Sequence, residues 1–252
     1  MFMDKGVAGL ITGSNGGIGQ ALCREFRAAG YLVIGTDLHE KKEADCDLYL
    51  RCDLLELATD SLSQKWFQKA IHGFLGEQSA ELQVVINNAA LQVTKALDSL
   101  SSSEFLACQK INVVAPFVIA KLFEDLLRKA RGSIVNIGSI HSKLTKPRFC
   151  AYSTSKAALS GLTRALALEF SGEVNVNVIL PGATRTAMLL AGFREQPEKY
   201  QELESFQPVG RIAEPEEIAH LALFLCSSNA RFITGSDFPI DGGIGGCLHD
   251  PI

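Results

Sequence analysis

The stretch Thr12-Gly13-Ser14-Asn15-Gly16-Gly17-Ile18-Gly19 decides how the chain is read. An apolar run over residues 7–12 leads into it, and an amphipathic pattern over 17–29 leads out. Glycines let the backbone turn sharply and come close to a pyrophosphate, and a helix starting there offers free N–H groups and a partial positive charge. A glycine-rich turn alone is weak evidence. Its place between a strand and a helix is what phosphate binding requires.

Outward from this turn, short apolar runs alternate with longer helical patterns. Strands are expected at 7–12, 31–36, 48–52, 84–87, 133–138, 174–180 and 238–240, and helices at 17–29, 62–75, 103–129, 152–171 and 215–227. Several strand runs are apolar throughout, as in strands buried on both faces. Alternating β and α predicts a parallel sheet with helices on both sides, and ligands at the carboxyl ends of its strands. The second strand runs into Asp37, 18 positions after Gly19. A carboxylate there can accept hydrogen bonds from both ribose hydroxyls of NAD and would repel the 2′-phosphate of NADP. His39, Lys41 and Lys42 could offset part of that repulsion, so NAD is expected with NADP as the alternative.

Composition narrows the classes. The chain has 252 residues, 47% of them hydrophobic, which is ample for a core. A net charge of −4 speaks against nucleic acid as a partner. No unbroken apolar run reaches the ~18 residues that span a bilayer, and the segment MFMDKG has no signal-peptide architecture. The seven cysteines include no CxxC pair and are expected to be reduced and mostly in the core, in a cytoplasmic protein. Five scattered histidines form no metal-ligand spacing, so no metal is expected.

Tyr152 and Lys156 stand four residues apart on one predicted helix face. An ammonium beside a phenol favours phenolate, so Lys156 is expected to lower the Tyr152 pKa and ready it as a general acid/base. Ser139, at the end of its strand, can hold and polarise a substrate oxygen. Pro116 has no N–H to give the carbonyl of Asn112, which is left free to hold a water.

With these residues in place the chain resembles the short-chain dehydrogenase/reductase family, of the compact type, over nearly its whole length. The motifs are TGSNGGIG, Asp53 in CDL, Asn87-Asn88-Ala89, Asn112, Ser139, Tyr152-x-x-x-Lys156, Pro181-Gly182 and ITGSDFPIDGG. The chain departs from the family's usual Asn-Asn-Ala-Gly with Ala90, which makes pocket shape less certain. The resemblance implies one Rossmann-type domain over 1–252, with seven parallel strands and a substrate lid at about 183–208 that includes Met188, Phe193, Tyr200 and Phe206. It implies a catalytic set of Ser139, Tyr152, Lys156 and Asn112, with Lys156 also holding the nicotinamide ribose and the Asn112 carbonyl holding a relay water. The cofactor contacts implied are Gly13, Asn15, Gly17, Ile18 and Gly19 in the turn, with Asp37 at the ribose, Asp53 at the adenine and Asn88 near the adenosine ribose. Tyr152, Lys156, Pro181, Gly182, Thr184 and Thr186 complete that set.

The expected activity is NAD(H)-dependent interconversion of a small-molecule secondary alcohol and its ketone. The alternatives are an NADPH-dependent 3-oxoacyl reductase, which Asp37 opposes, and a non-catalytic dinucleotide sensor, which the retained Tyr152 and Lys156 oppose. His141, Lys143, Lys146 and Arg148 lie between Ser139 and Tyr152 and could attract an anionic substrate, or simply be solvated. Apolar residues on more than one face of 103–129 and 152–171 predict a homo-oligomer, and the resemblance implies a tetramer or dimer.

Overall fold

The computed structural model describes residues 6–40, 42–194 and 197–247. Residues 1–5, Lys41 and the side chain of Met188 lie outside the described set. The apolar runs become strands β1 (Gly6–Thr12), β2 (Leu32–Asp37), β3 (Leu48–Arg51), β4 (Ala80–Asn87), β5 (Ser133–Ile137), β6 (Asn175–Pro181) and β7 (Asp237–Ile240). They form one seven-stranded sheet in the order β3-β2-β1-β4-β5-β6-β7, and every pairing is parallel. This is the doubly wound Rossmann-type arrangement, and β1 and β4 meet where the winding reverses. β4 starts four residues earlier than its apolar run because Ala80 and Glu81 pair with Gly6 and Val7 of β1.

Helices cover both faces. On one side α1 (Gly17–Ala28) brings Leu22 and Phe26 against Ile11 and Val84. On the other, α2 (Leu54–Leu57) and α3 (Ser61–Glu77) bring Leu57, Phe67 and Ile71 against Leu10 and Leu82. The start of α3 is set by Asp60, whose carboxylate accepts from Ser63 N–H at 2.7 Å.

The single helix expected over 103–129 is corrected to four pieces. These are α4 (Ser102–Gln109), a π turn (Lys110–Val114), α5 (Ala115–Leu122) and α6 (Glu124–Ala130). In the π turn Ala115 N–H donates to Lys110 O, five residues back, and Pro116 has no N–H for Asn112. The α5–α6 break falls at Phe123, whose φ of −116° and ψ of 16° leave the helical region while its ring stays buried. Ser102–Leu122 is long and apolar enough to cross a membrane by length and composition, but Ala115 and Ile119 anchor it in the core.

The chain continues through α7 (Cys150–Glu169), α8 (Ala187–Ala191), α9 (Pro197–Ser205) and α10 (Pro215–Cys226). Glu214 and Glu217 form a capping box around Pro215 at the start of α10, whose Ile218 and Ala222 join the α1 side of the core. None of the seven cysteines forms a disulfide, and five are buried.

Candidate active site

The turn after β1 is built by close approach. A Cβ on Gly19 would lie 2.0 Å from Gly13 O, and one on Gly13 would lie 2.8 Å from Ala89 Cα. Gly13 also has φ of 64°, a conformation that suits glycine. Asn88 ties the turn to β4 by donating from Nδ2 to Thr12 O and Gly13 O, each at 3.0 Å. Asn15 faces the loop after β2: its Oδ1 accepts from Glu43 N at 2.9 Å and its Nδ2 donates to Tyr49 OH at 3.0 Å. The α1 N-terminus has Gly16 as N-cap, no side-chain cap and no acid in its first turn. That uncapped end, at the reversal point of the sheet, fits an anionic pyrophosphate.

Asp37 sits at the end of β2, where its Oδ2 accepts from Asn15 N–H at 3.1 Å. Lys42 donates its ammonium to Cys46 O, which takes that charge toward the backbone. The register also sets Arg51 beside Asp37. Sequence reasoning missed this neighbour, which only strand pairing reveals. Arg51 donates to Leu38 O at 3.2 Å and lies 3.4 Å from Glu40. Asp53 caps α2, with Oδ1 accepting from Leu55 N–H at 2.8 Å.

The candidate catalytic groups converge beyond β5. Gly138 lets the chain pass close to β6, since a Cβ there would lie 2.6 Å from Leu180 Cδ2, and its N–H donates to Ile179 O at 2.7 Å. This places Ser139, a buried residue whose Oγ accepts from His141 N–H at 3.1 Å and lies within hydrogen-bonding reach of the Tyr152 hydroxyl. Glycine immediately before the strand-end serine was the available signal for this approach. Lys156 is 2% exposed. Its Nζ donates to Ile137 O at 2.7 Å and lies 5.6 Å from the Tyr152 ring centroid.

The electrostatic expectation for this pair is corrected. Burial pushes the Tyr152 phenol up to about 12, against a smaller lowering by the Ser139 hydrogen bond. Burial likewise pulls Lys156 down to about 8. Desolvation is the largest cause of both shifts, neither of which draws on the other group, and the Lys156 proton is directed at a backbone carbonyl.

A buried network holds the helix that carries both groups. Asn87 Nδ2 donates to Asn136 Oδ1, Asn136 Nδ2 to Thr163 Oγ1 and Thr163 Oγ1 to Leu159 O, each at 2.8 Å. The Asn112 side chain accepts from Leu91 N–H at 2.8 Å and donates to Ser155 Oγ at 2.8 Å, joining the π turn to the loop after β4 and to α7.

After β6, Gly182 N–H donates to Ile240 O at 3.0 Å, and a Cβ on Gly182 would lie 2.9 Å from Asp241 Cα. Thr184 bridges to Ala213. Thr186 caps α8, and its methyl would lie 3.0 Å from a Cβ on Gly17, which brings this segment over the glycine turn. Arg185 reaches Glu214 at 2.8 Å and Glu204 at 3.7 Å, while Phe193 packs edge-on against Tyr200. Phe206 remains half exposed.

The family profile described as enoyl-(acyl carrier protein) reductase matches residues 13–245, and the chain belongs to the short-chain dehydrogenase/reductase family. An uncharacterised short-chain type dehydrogenase/reductase of Sinorhizobium fredii is 33% identical over 93% of this chain, which spans 43% of that protein's length. A galactitol 2-dehydrogenase (L-tagatose-forming) of Cereibacter sphaeroides is 32% identical over 96% of both chains. Among solved structures, the ligand-free aldohexose dehydrogenase of Thermoplasma acidophilum superposes with a TM-score of 0.88 at 26% identity, covering 98% of this chain and 97% of the other. A 4-hydroxyisoleucine dehydrogenase complexed with NADH gives 0.83 at 29% identity, covering 96% of this chain and all (100%) of the other. The chain is an oxidoreductase of this family.

Proposed function

We propose that the protein is an NAD(H)-dependent oxidoreductase that interconverts a secondary alcohol and its ketone. The observation that carries this is the convergence of Ser139, Tyr152 and Lys156 beyond β5, on the same edge of the sheet as the uncapped α1 terminus and Asp37.

A bound nicotinamide dinucleotide supplies the hydride acceptor or donor. The chain's part is to bind, orient and move a proton. The turn at residues 13–19 and the α1 terminus would hold the pyrophosphate, and Asp37 the adenosine ribose hydroxyls. Asp53 and Asn88 would flank the adenosine, and Pro181, Gly182, Thr184 and Thr186 the nicotinamide end. Ser139 Oγ holds the substrate oxygen. Tyr152 takes the proton from the alcohol as its phenolate, or gives its phenol proton to the ketone. Lys156 orients the nicotinamide ribose, and the Asn112 carbonyl, lacking its helical donor, holds a water on the path to solvent. Asp37 and the engagement of Lys42 with Cys46 O favour NAD over NADP.

The segment 183–208 is the lid. The reading includes a cytoplasmic homo-oligomer, for which exposed Leu106 and Phe117 on α4–α5 and Leu168 on α7 provide apolar surface. Light scattering at micromolar concentration tests that assembly. The activity is tested by assaying alcohols and ketones with NAD(H) and NADP(H) on the wild type and Tyr152→Phe. Turnover that survives unchanged in Tyr152→Phe overturns the mechanism.

A further inference from the structure

The four basic residues between Ser139 and Tyr152 separate into distinct roles in the structure. Lys143 is committed to Asp237, at 3.2 Å, with Arg164 on the same carboxylate at 3.7 Å. His141 is stacked on Phe149, with centroids 4.4 Å apart and an angle of 20°, and faces the Tyr152 ring edge-on at 6.0 Å. Lys146 holds its ammonium 4.8 Å from the Phe149 ring centroid. Arg148 reaches from this loop to the loop after β4, where its Nη2 donates to Thr94 O at 3.4 Å. Among the described residues neither Lys146 nor Arg148 pairs with a carboxylate. Two cations without a counter-charge thus stand beside the approach to Tyr152, along an aromatic stack that ends at its ring.

Backbone conformation singles out Arg148. Among the described residues four non-glycine positions have positive φ: Ser79, Arg131, Arg148 and Ser171. Three of them follow the ends of α3, α6 and α7, where left-handed residues commonly close a helix. Arg148, at 74°, instead sits just before α7, after Pro147 in a turn where glycine or asparagine is the usual residue. A long side chain in that conformation points to a use for the guanidinium.

We propose that the substrate is a hydroxy acid, or the corresponding oxo acid, whose carboxylate is held at the approach to Tyr152 by Arg148 with Lys146 beside it. This rests on the reading of the site as an alcohol/ketone oxidoreductase. The planar guanidinium matches a carboxylate with two parallel hydrogen bonds, while the ammonium on Phe149 adds charge without a fixed direction. The carbinol end then reaches Ser139 and Tyr152 past the face of the His141–Phe149 stack.

The test compares short 2-, 3- and 4-hydroxy acids with their methyl esters and with a phosphomonoester alcohol. The wild type and the Arg148→Gly, Arg148→Gln and Lys146→Gln variants are assayed at low and high salt. The wild type should prefer acid to ester at least tenfold in kcat/KM, and salt should erode that preference. Arg148→Gly and Arg148→Gln should reduce the acid-to-ester ratio at least tenfold, mainly through KM, and Lys146→Gln should reduce it less. Arg148→Gly should melt no lower than the wild type, because glycine accepts the backbone conformation. Esters used as well as acids, or an acid preference intact in Arg148→Gly, overturn the inference and leave the oxidoreductase reading standing. A phosphomonoester preferred to every carboxylate overturns the choice of anion. If no alcohol turns over, the oxidoreductase reading fails, and calorimetry of oxo-acid binding to the NADH-loaded wild type and Arg148→Gln decides separately. Equal binding to the two, or none to either, overturns the role of Arg148.

Discussion

At the carboxyl edge of the sheet, the turn between β1 and α1 and the segment between β5 and α7 are built differently. The first is made of absent side chains: Gly13 and Gly19 bring backbone against backbone, and the helix end that results is left uncapped. The second is made of desolvated side chains whose charged forms are disfavoured: the phenol of the partly buried Tyr152 is up at about 12 and the amine of the buried Lys156 down at about 8. A binding turn can be specified by local geometry. A proton-transfer site needs burial, and burial comes from many distant residues.

Five variants break or sharpen this contrast. Tyr152→Phe should lower kcat/KM about 10²- to 10⁴-fold while NADH binding, followed by fluorescence, persists. Retained activity would show that the buried half is not the reacting half. Lys156→Met addresses the cost of burial. Because the folded-state pKa is depressed from 10.5 to about 8, the wild type carries a penalty at pH below 8 that is relieved as pH rises toward 10.5. The stability gap between Lys156→Met and the wild type should therefore shift by about 3 kcal/mol in favour of the wild type across that window, read by urea unfolding.

On the other side of the comparison, Gly19→Ala should cost about 2–3 kcal/mol by overpacking and abolish dinucleotide binding. Gly17→Ala, whose new Cβ would sit closest to the Thr186 methyl at 3.0 Å, should act more mildly and through the 183–208 segment. The smallest effect is expected for Asp37→Ala: about a tenfold rise in the KM for NAD, or about 1.4 kcal/mol, with a smaller change for NADP. An equal change for both cofactors would remove Asp37 from the choice between them.

Much of the fold was legible because its signals are local. Glycine spacing, continuous apolar runs and the Pro215-Glu216-Glu217 helix start each act within a few residues. The break in 103–129 was half legible: Pro116 announced it, but the π turn depends on Ala115 N–H turning to Lys110 O. Arg51 beside Asp37 was illegible without strand register, and the sorting of Lys143 from Arg148 depends on Asp237, far along the chain.

By itself the sequence determined the β–α alternation, the place of the phosphate-type turn and the spacing of Tyr152 and Lys156 on one helix face, since each follows from backbone geometry over one or two turns of chain. Only the tertiary structure decided the protonation balance of that pair and which cations beside the site keep no counter-charge. Desolvation and ion pairing depend on what folds against a group, and those neighbours include Ile137 on β5, Cys108 on α4 and Asp237 on β7 rather than the helix alone.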